Sequence, residues 1–192
     1  MKIWLLDSGD WSEHGRVTEK IVRYISPNCD IERIKFPKLL LVSDIIDSLL
    51  YVKNQASASD IVLITWVLPR SQEIDEIVLS LSKKLRVICS AGNLKQDIKN
   101  FSPANLSSNI EVIHCLNKKG EIASFSNFGE CTIGMFGTNI LIDNLRYSGT
   151  TISAAIYAGL ISRNNNPKFL HKMTRFLSRK FNRELNAKNY SK

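Results

Sequence analysis

The sequence predicts a single α/β domain: a doubly wound, mostly parallel sheet with helices on both faces. Three observations point to it. Apolar runs rich in β-branched residues alternate with stretches of helical period through residue 93. One run, Asp60 to Leu68, is almost continuously apolar, as in a central strand buried on both faces. And 192 residues with 44% apolar and 23% charged content suffice for one core but would crowd two.

The elements follow in order. Ile3 to Leu6 reads as the first strand, closing on Asp7 and a turn at Ser8-Gly9-Asp10. A helix over about 14–25 carries Val17, Ile21, Val22 and Ile25 on one face. Residues 30–36 give a second strand and 43–55 a second helix, with Ser43 as its N-cap and Ile45, Ile46, Leu49, Leu50 and Val52 along its apolar face. After the Asp60 to Leu68 strand, residues 71–84 have helical spacing. Arg86 to Cys89 makes a strand that ends in Ser90-Ala91-Gly92-Asn93.

Beyond Asn93 the pattern shortens to strand candidates at 109–116, 121–126, 131–136 and 139–142, separated by Gly, Asn and Ser. Ser148-Gly149-Thr150-Thr151 opens a helix to about 163, which Asn164-Asn165-Asn166-Pro167 breaks. Pro167 suits the first turn of a last helix. The domain is expected over 1–163, and a basic amphipathic helix and tail over 164–192.

The net positive charge is concentrated in that tail. Residues 168–192 hold eight Lys or Arg against one Glu, leaving +1 of the net +8 for the rest. Phe169, Leu170, Met173, Phe176, Leu177, Phe181 and Leu185 recur there at helical spacing. The segment can pack on the domain with a solvated cationic face, or dock to an acidic protein partner, peptide or membrane surface. No recognition motif accompanies the charge, so nucleic acid is not expected.

Cys29, Cys89, Cys115 and Cys131 are scattered with no C-x-x-C pair, and are expected to be buried free thiols. The N-terminal apolar run meets a charge at once, unlike a secretory signal, and no stretch reaches the roughly 18 apolar residues of a membrane span. A cytoplasmic protein without cofactor or metal is expected.

In an open parallel sheet, ligands bind outside the carboxyl ends of the strands. Asp7, His14 and Asn93 all fall there. Asp7 can be half buried with its carboxylate held by turn amides. Each position alone reads as an ordinary turn or helix-start residue.

Together the motifs carry more. Asp-Ser-Gly at 7–9, His14-Gly15, Ser90-Ala-Gly-Asn93 after an apolar strand, and Gly149-Thr-Thr-Ile-Ser-Ala-Ala-Ile-Tyr-Ala-Gly159 opening a helix resemble, in order, the subtilisin-like serine proteases. The resemblance spans about residues 1–163. It includes Asp60 to Thr65, Ser102-Pro103-Ala104-Asn105 and Ala123 to Gly129. Ala158-Gly159 sets the register, which puts Thr151 at the nucleophile position. Ser148 and Ser153 lie off it.

The resemblance implies that Asp7 orients and charge-balances His14, that His14 is the general base, and that Asn93 and the Thr151 N–H donate to an oxyanion. It also implies that Thr65, Trp66 and Val67 line the substrate. The chain departs from the family in three ways. Thr151 brings a β-methyl that restricts χ1. Asp7 and His14 are only seven positions apart, so loops that could carry calcium sites are pared away, and no N-terminal propeptide is expected. The bulky Trp66-Val67-Leu68-Pro69 stands where small, glycine-rich residues usually line the specificity pocket. Three functions therefore stand: a compact peptidase or peptide acyl-transfer hydrolase using Asp7, His14 and Thr151, an impaired relative that binds a peptide or partner in the same cleft, or a domain that functions only in complex with another protein.

Overall fold

The computed structural model describes residues 1–7, 13–34, 36 and 41–163. Six parallel strands form the central sheet: β1 (Lys2–Leu6), β2 (Asp30–Ile34), β3 (Ile61–Ile64), β5 (Arg86–Ser90), β7 (Glu111–Leu116) and β8 (Ile133–Phe136), in the spatial order β2-β1-β3-β5-β7-β8. The short strands β4 (Leu68–Pro69) and β6 (Phe101–Ser102) pair antiparallel, as do β9 (Ile140–Ile142) and β10 (Leu145–Tyr147).

Alternation along the strands sorts two cores. Ile3, Leu5, Ile61, Leu63, Ile88 and Ile113 point to one face, covered by α1 (Glu13–Ile25) and α4 (Thr150–Arg163). Trp4, Leu6, Val62, Ile64, Val87 and Val112 point to the other, covered by α2 (Val42–Gln55) and α3 (Gln72–Ser82). The sheet is thus doubly wound. α1 presents Val17, Ile21, Val22 and Ile25, as their spacing predicts. α4 is buried from Thr150 to Ile161 on every side, and its Ala154, Ala155, Ala158 and Gly159 let it run close to α1 and the sheet.

From β1 the chain moves outward to β2, and from β3 it moves the opposite way to β5. The topological switch point therefore lies between the carboxyl ends of β1 and β3, where such folds bind ligands. Asp7 follows β1 and Thr65 follows β3.

Several local expectations are corrected. Ser43 is not the cap of α2; Leu41 is, and its N–H donates to the Asp44 carboxylate at 2.8 Å, so the third helical residue supplies the polar group. The run 60–68 is two strands, because Thr65 to Val67 leave the sheet before Leu68 turns to pair with Ser102. Residues 121–126 form a single bridge, Leu116 to Ile122, rather than a strand. β10 was not anticipated, its three residues being too short to show a period. Cys29, Cys89 and Cys115 are buried free thiols, but Cys131 is exposed at φ 57° in the turn before β8. The turn at Ser8-Gly9-Asp10 and the basic segment 164–192 lie outside the described residues. Among those described, no helix is long and apolar enough to cross a membrane.

Candidate active site

Asp7 is 3% exposed at the end of β1. A carboxylate so placed needs partners, and three of them are among the described residues. His14 Nδ1 lies 3.0 Å from Oδ1 and 3.1 Å from Oδ2. The Thr65 hydroxyl donates to Oδ2 at 2.8 Å, and the Thr18 hydroxyl, which also bonds the His14 carbonyl at 3.0 Å, stands 3.4 Å from it. Among the described residues, hydroxyls and an imidazole hold this carboxylate; the turn amides expected to do so belong to Ser8-Gly9-Asp10, outside those residues.

His14 opens α1 with its side chain 42% exposed. The Asp7 hydrogen bond and charge raise its pKa above the ordinary 6.5, against the lowering effect of burial. With Nδ1 turned to the carboxylate, Nε2 is the ring nitrogen left to exchange protons.

The opposite wall forms where the exit of β5 meets the start of α4. The Asn93 carbonyl oxygen accepts from the Thr150 N–H at 3.0 Å and from its hydroxyl at 3.1 Å. The Gly92 N–H donates to that same hydroxyl at 3.1 Å. With Oδ1 so occupied, Nδ2 is the donor end of the amide. Gly92 has φ +97°, and an ideal Cβ there would lie 2.6 Å from Asn127 Nδ2, so only glycine fits. Fully buried Asn127 completes the turn: its oxygen accepts the N–H groups of Leu94 and Gln96 at 2.9 and 3.0 Å, and its Nδ2 donates to the Ala91 carbonyl at 2.8 Å.

Thr151 lies in the first turn of α4, where leading N–H groups lack intrahelical acceptors. Its hydroxyl donates to the Thr65 carbonyl at 3.2 Å. Among the described residues it makes no hydrogen bond to His14. Ser153 bonds the Met135 carbonyl and Ser148 accepts from the Asn139 N–H, so both are engaged elsewhere.

His14, Thr65, Trp66, Val67, Asn93 and Thr151 line one cleft of ≈ 420 Å³, with Ile45, Leu68 and Leu94 adding apolar surface. The expected site residues other than Asp7 line this cleft, Asp7 being buried and joined to it through His14, but not all play the expected part. The Thr65 side chain faces Asp7 rather than the opening. Trp66 is buried in the core, and Val67 Cγ2 would stand 2.7 Å from a Cβ on Gly92, closing the gap between the two strand exits. Sequence reasoning missed Thr150 and Asn127 as organisers. The motifs containing both were in view, but their roles depend on contacts with Asn93 and Gly92 that no spacing reveals. No group of three or more His, Cys, Asp or Glu that could hold a metal occurs among the described residues.

No family model matches the chain. It is 37% identical over 97 residues to a putative subtilisin-like proteinase 2 of Encephalitozoon cuniculi (strain GB-M1). That match covers 49% of this chain and 18% of the relative's length. In fold it is similar to a cold adapted subtilisin-like serine proteinase (TM-score 0.74, 20% identity, 85% of this chain and 76% of that one). It is also similar to the prenylagaramide maturation protease PagA (TM-score 0.70, 17% identity, 87% and 78%) and to a lanthipeptide protease (TM-score 0.69, 14% identity, 86% and 75%).

Proposed function

We propose that this chain, which has the subtilisin-like fold and resembles the subtilisin-like proteases in sequence, is a peptidase that cleaves peptides through Asp7, His14 and Thr151. The observation that carries the reading is the buried Asp7 carboxylate on His14 Nδ1, beside a helix-start hydroxyl in the same cleft.

In the reaction, the Thr151 hydroxyl leaves the Thr65 carbonyl and gives its proton to His14 Nε2 as Oγ1 bonds the scissile carbonyl carbon. Asn93 Nδ2 and the Thr151 N–H receive the oxyanion. The imidazolium, balanced by Asp7, protonates the leaving amine, and water then releases the acyl group by the reverse proton path. Because Val67 fills the space against Gly92, the residue on the acyl side of the cut is small.

A second reading, a module that holds a peptide without cutting it, is favoured by one observation: the Thr151 hydroxyl is committed to the Thr65 carbonyl. A fluorophosphonate probe and a diverse peptide pool separate the two, read by mass spectrometry on wild type, Thr151→Ser and Thr151→Ala. The peptidase reading expects labelling and cleavage in wild type, at least as much in the serine variant, and none in the alanine variant. Silence from wild type, with peptides still bound, would establish the holding module.

A further inference from the structure

The contact between the edge strand and the first helix adds a cation to this site. Arg33 of β2 lies in register with Leu5, two residues before Asp7. An ideal Cβ on Gly15 would lie 2.7 Å from Arg33 Nη2 and 3.4 Å from the Asp7 carboxyl carbon. Guanidinium and carboxyl thus flank the same point on α1, next to His14. A residue without a side chain at 15 lets the arginine reach that point; any Cβ would displace it. The Arg33 side chain is 20% exposed.

We propose that Arg33 is a positioning residue of the Asp7 and His14 pair: threaded over Gly15, its guanidinium keeps the carboxylate facing the imidazole and resists a second positive charge on His14. The inference rests on the proposed role of that pair. The guanidinium stays protonated at every working pH, so its effect is constant where His14 titrates. Among the described residues of α1, Glu19 stands 3.9 Å from Arg33 Nη1, Lys20 pairs with Asp143, and Arg16 is exposed to solvent. β3 brings the neutral Thr65, and the first turn of α4 the neutral Thr150 and Thr151.

The test is an NMR titration of the histidine ring protons in the full-length, substrate-free protein, with His14 assigned by its loss in His14→Gln. Arg33→Met raises the His14 midpoint by about half a pH unit to one pH unit, and Arg33→Lys raises it by less. Gly15→Ala pushes the guanidinium aside with the charge retained, and raises the midpoint in the same direction. If Arg33→Met fails to fold, Gly15→Ala decides alone. A midpoint that stays put or falls in the variants that fold overturns the proposal. Because no substrate is present, this outcome is independent of whether Thr151 is labelled. In protein that cleaves, the acid limb of kcat/KM moves with the midpoint.

Discussion

The two described histidines respond to pH with opposite sign, and the reason lies in their immediate partners. His14 has its folded pKa raised by Asp7, so it binds a proton more readily folded than unfolded. Its stabilising contribution is complete below about 6.5 and disappears as pH rises through the raised value. His114 of β7 has its Nδ1 2.9 Å from the Thr132 hydroxyl, and burial lowers its pKa. Its neutral form is favoured in the fold, so stability falls as pH drops below about 6.5. Urea unfolding of wild type from pH 5 to 9 should show both trends. In Asp7→Asn the loss on the alkaline side should vanish while the acid-side loss remains. Retention of the alkaline-side loss in that variant would mean that Asp7 is not what raises His14. The Asp7 partner of His14 was expected from the order of motifs, whereas the burial of His114 and its Thr132 partner were not legible, since the identity of a histidine does not specify its surroundings.

At the scale of elements, what the sequence showed and what it hid divide along physical lines. α1, α2, α3 and α4 announce themselves because each buries a stripe or a whole surface, and a long periodic signal survives small errors of boundary. The doubly wound sheet was legible for the same reason, from strands apolar throughout. What failed was short: β10, the split of the 60–68 run, and the cap of α2 at Leu41, all decided by a few tertiary or backbone contacts. The split matters most. It carries Val67 out of the sheet and against Gly92, so that the exits of β3 and β5 touch where the proposed reaction would seat the acyl-side residue. Val67→Gly should reopen this space. If the chain cleaves peptides, kcat/KM for substrates with an aromatic residue before the cut should rise by about 10- to 100-fold relative to those with alanine there. An unchanged preference would place the specificity wall elsewhere.

Over the whole molecule, the candidate site is assembled from separate elements: Asp7 after β1, His14 on α1, Thr65 after β3, Asn93 after β5 and Thr151 on α4. The order of motifs along the chain revealed these positions because a topological switch point forces strand ends to converge. The hydroxyl geometry at Thr151 could not be foreseen, since a rotamer choice between Thr65 and His14 leaves no trace in spacing. A cleft lined by residues of α1, α2 and α4 and by the segments that follow β3 and β5 couples occupancy to global stability: a ligand that binds only the folded state adds about 2.7 kcal/mol at a hundred times its Kd. A peptide with a small acyl-side residue should therefore raise the Tm of the uncuttable Thr151→Ala protein by several degrees in a concentration-dependent manner. Asn93→Ala should weaken that shift, because it removes an amide that lines the cleft and is tied to Thr150. Differential scanning calorimetry over a peptide series checks this on full-length protein. A Tm indifferent to every peptide would show that the cleft, although assembled, does not receive them.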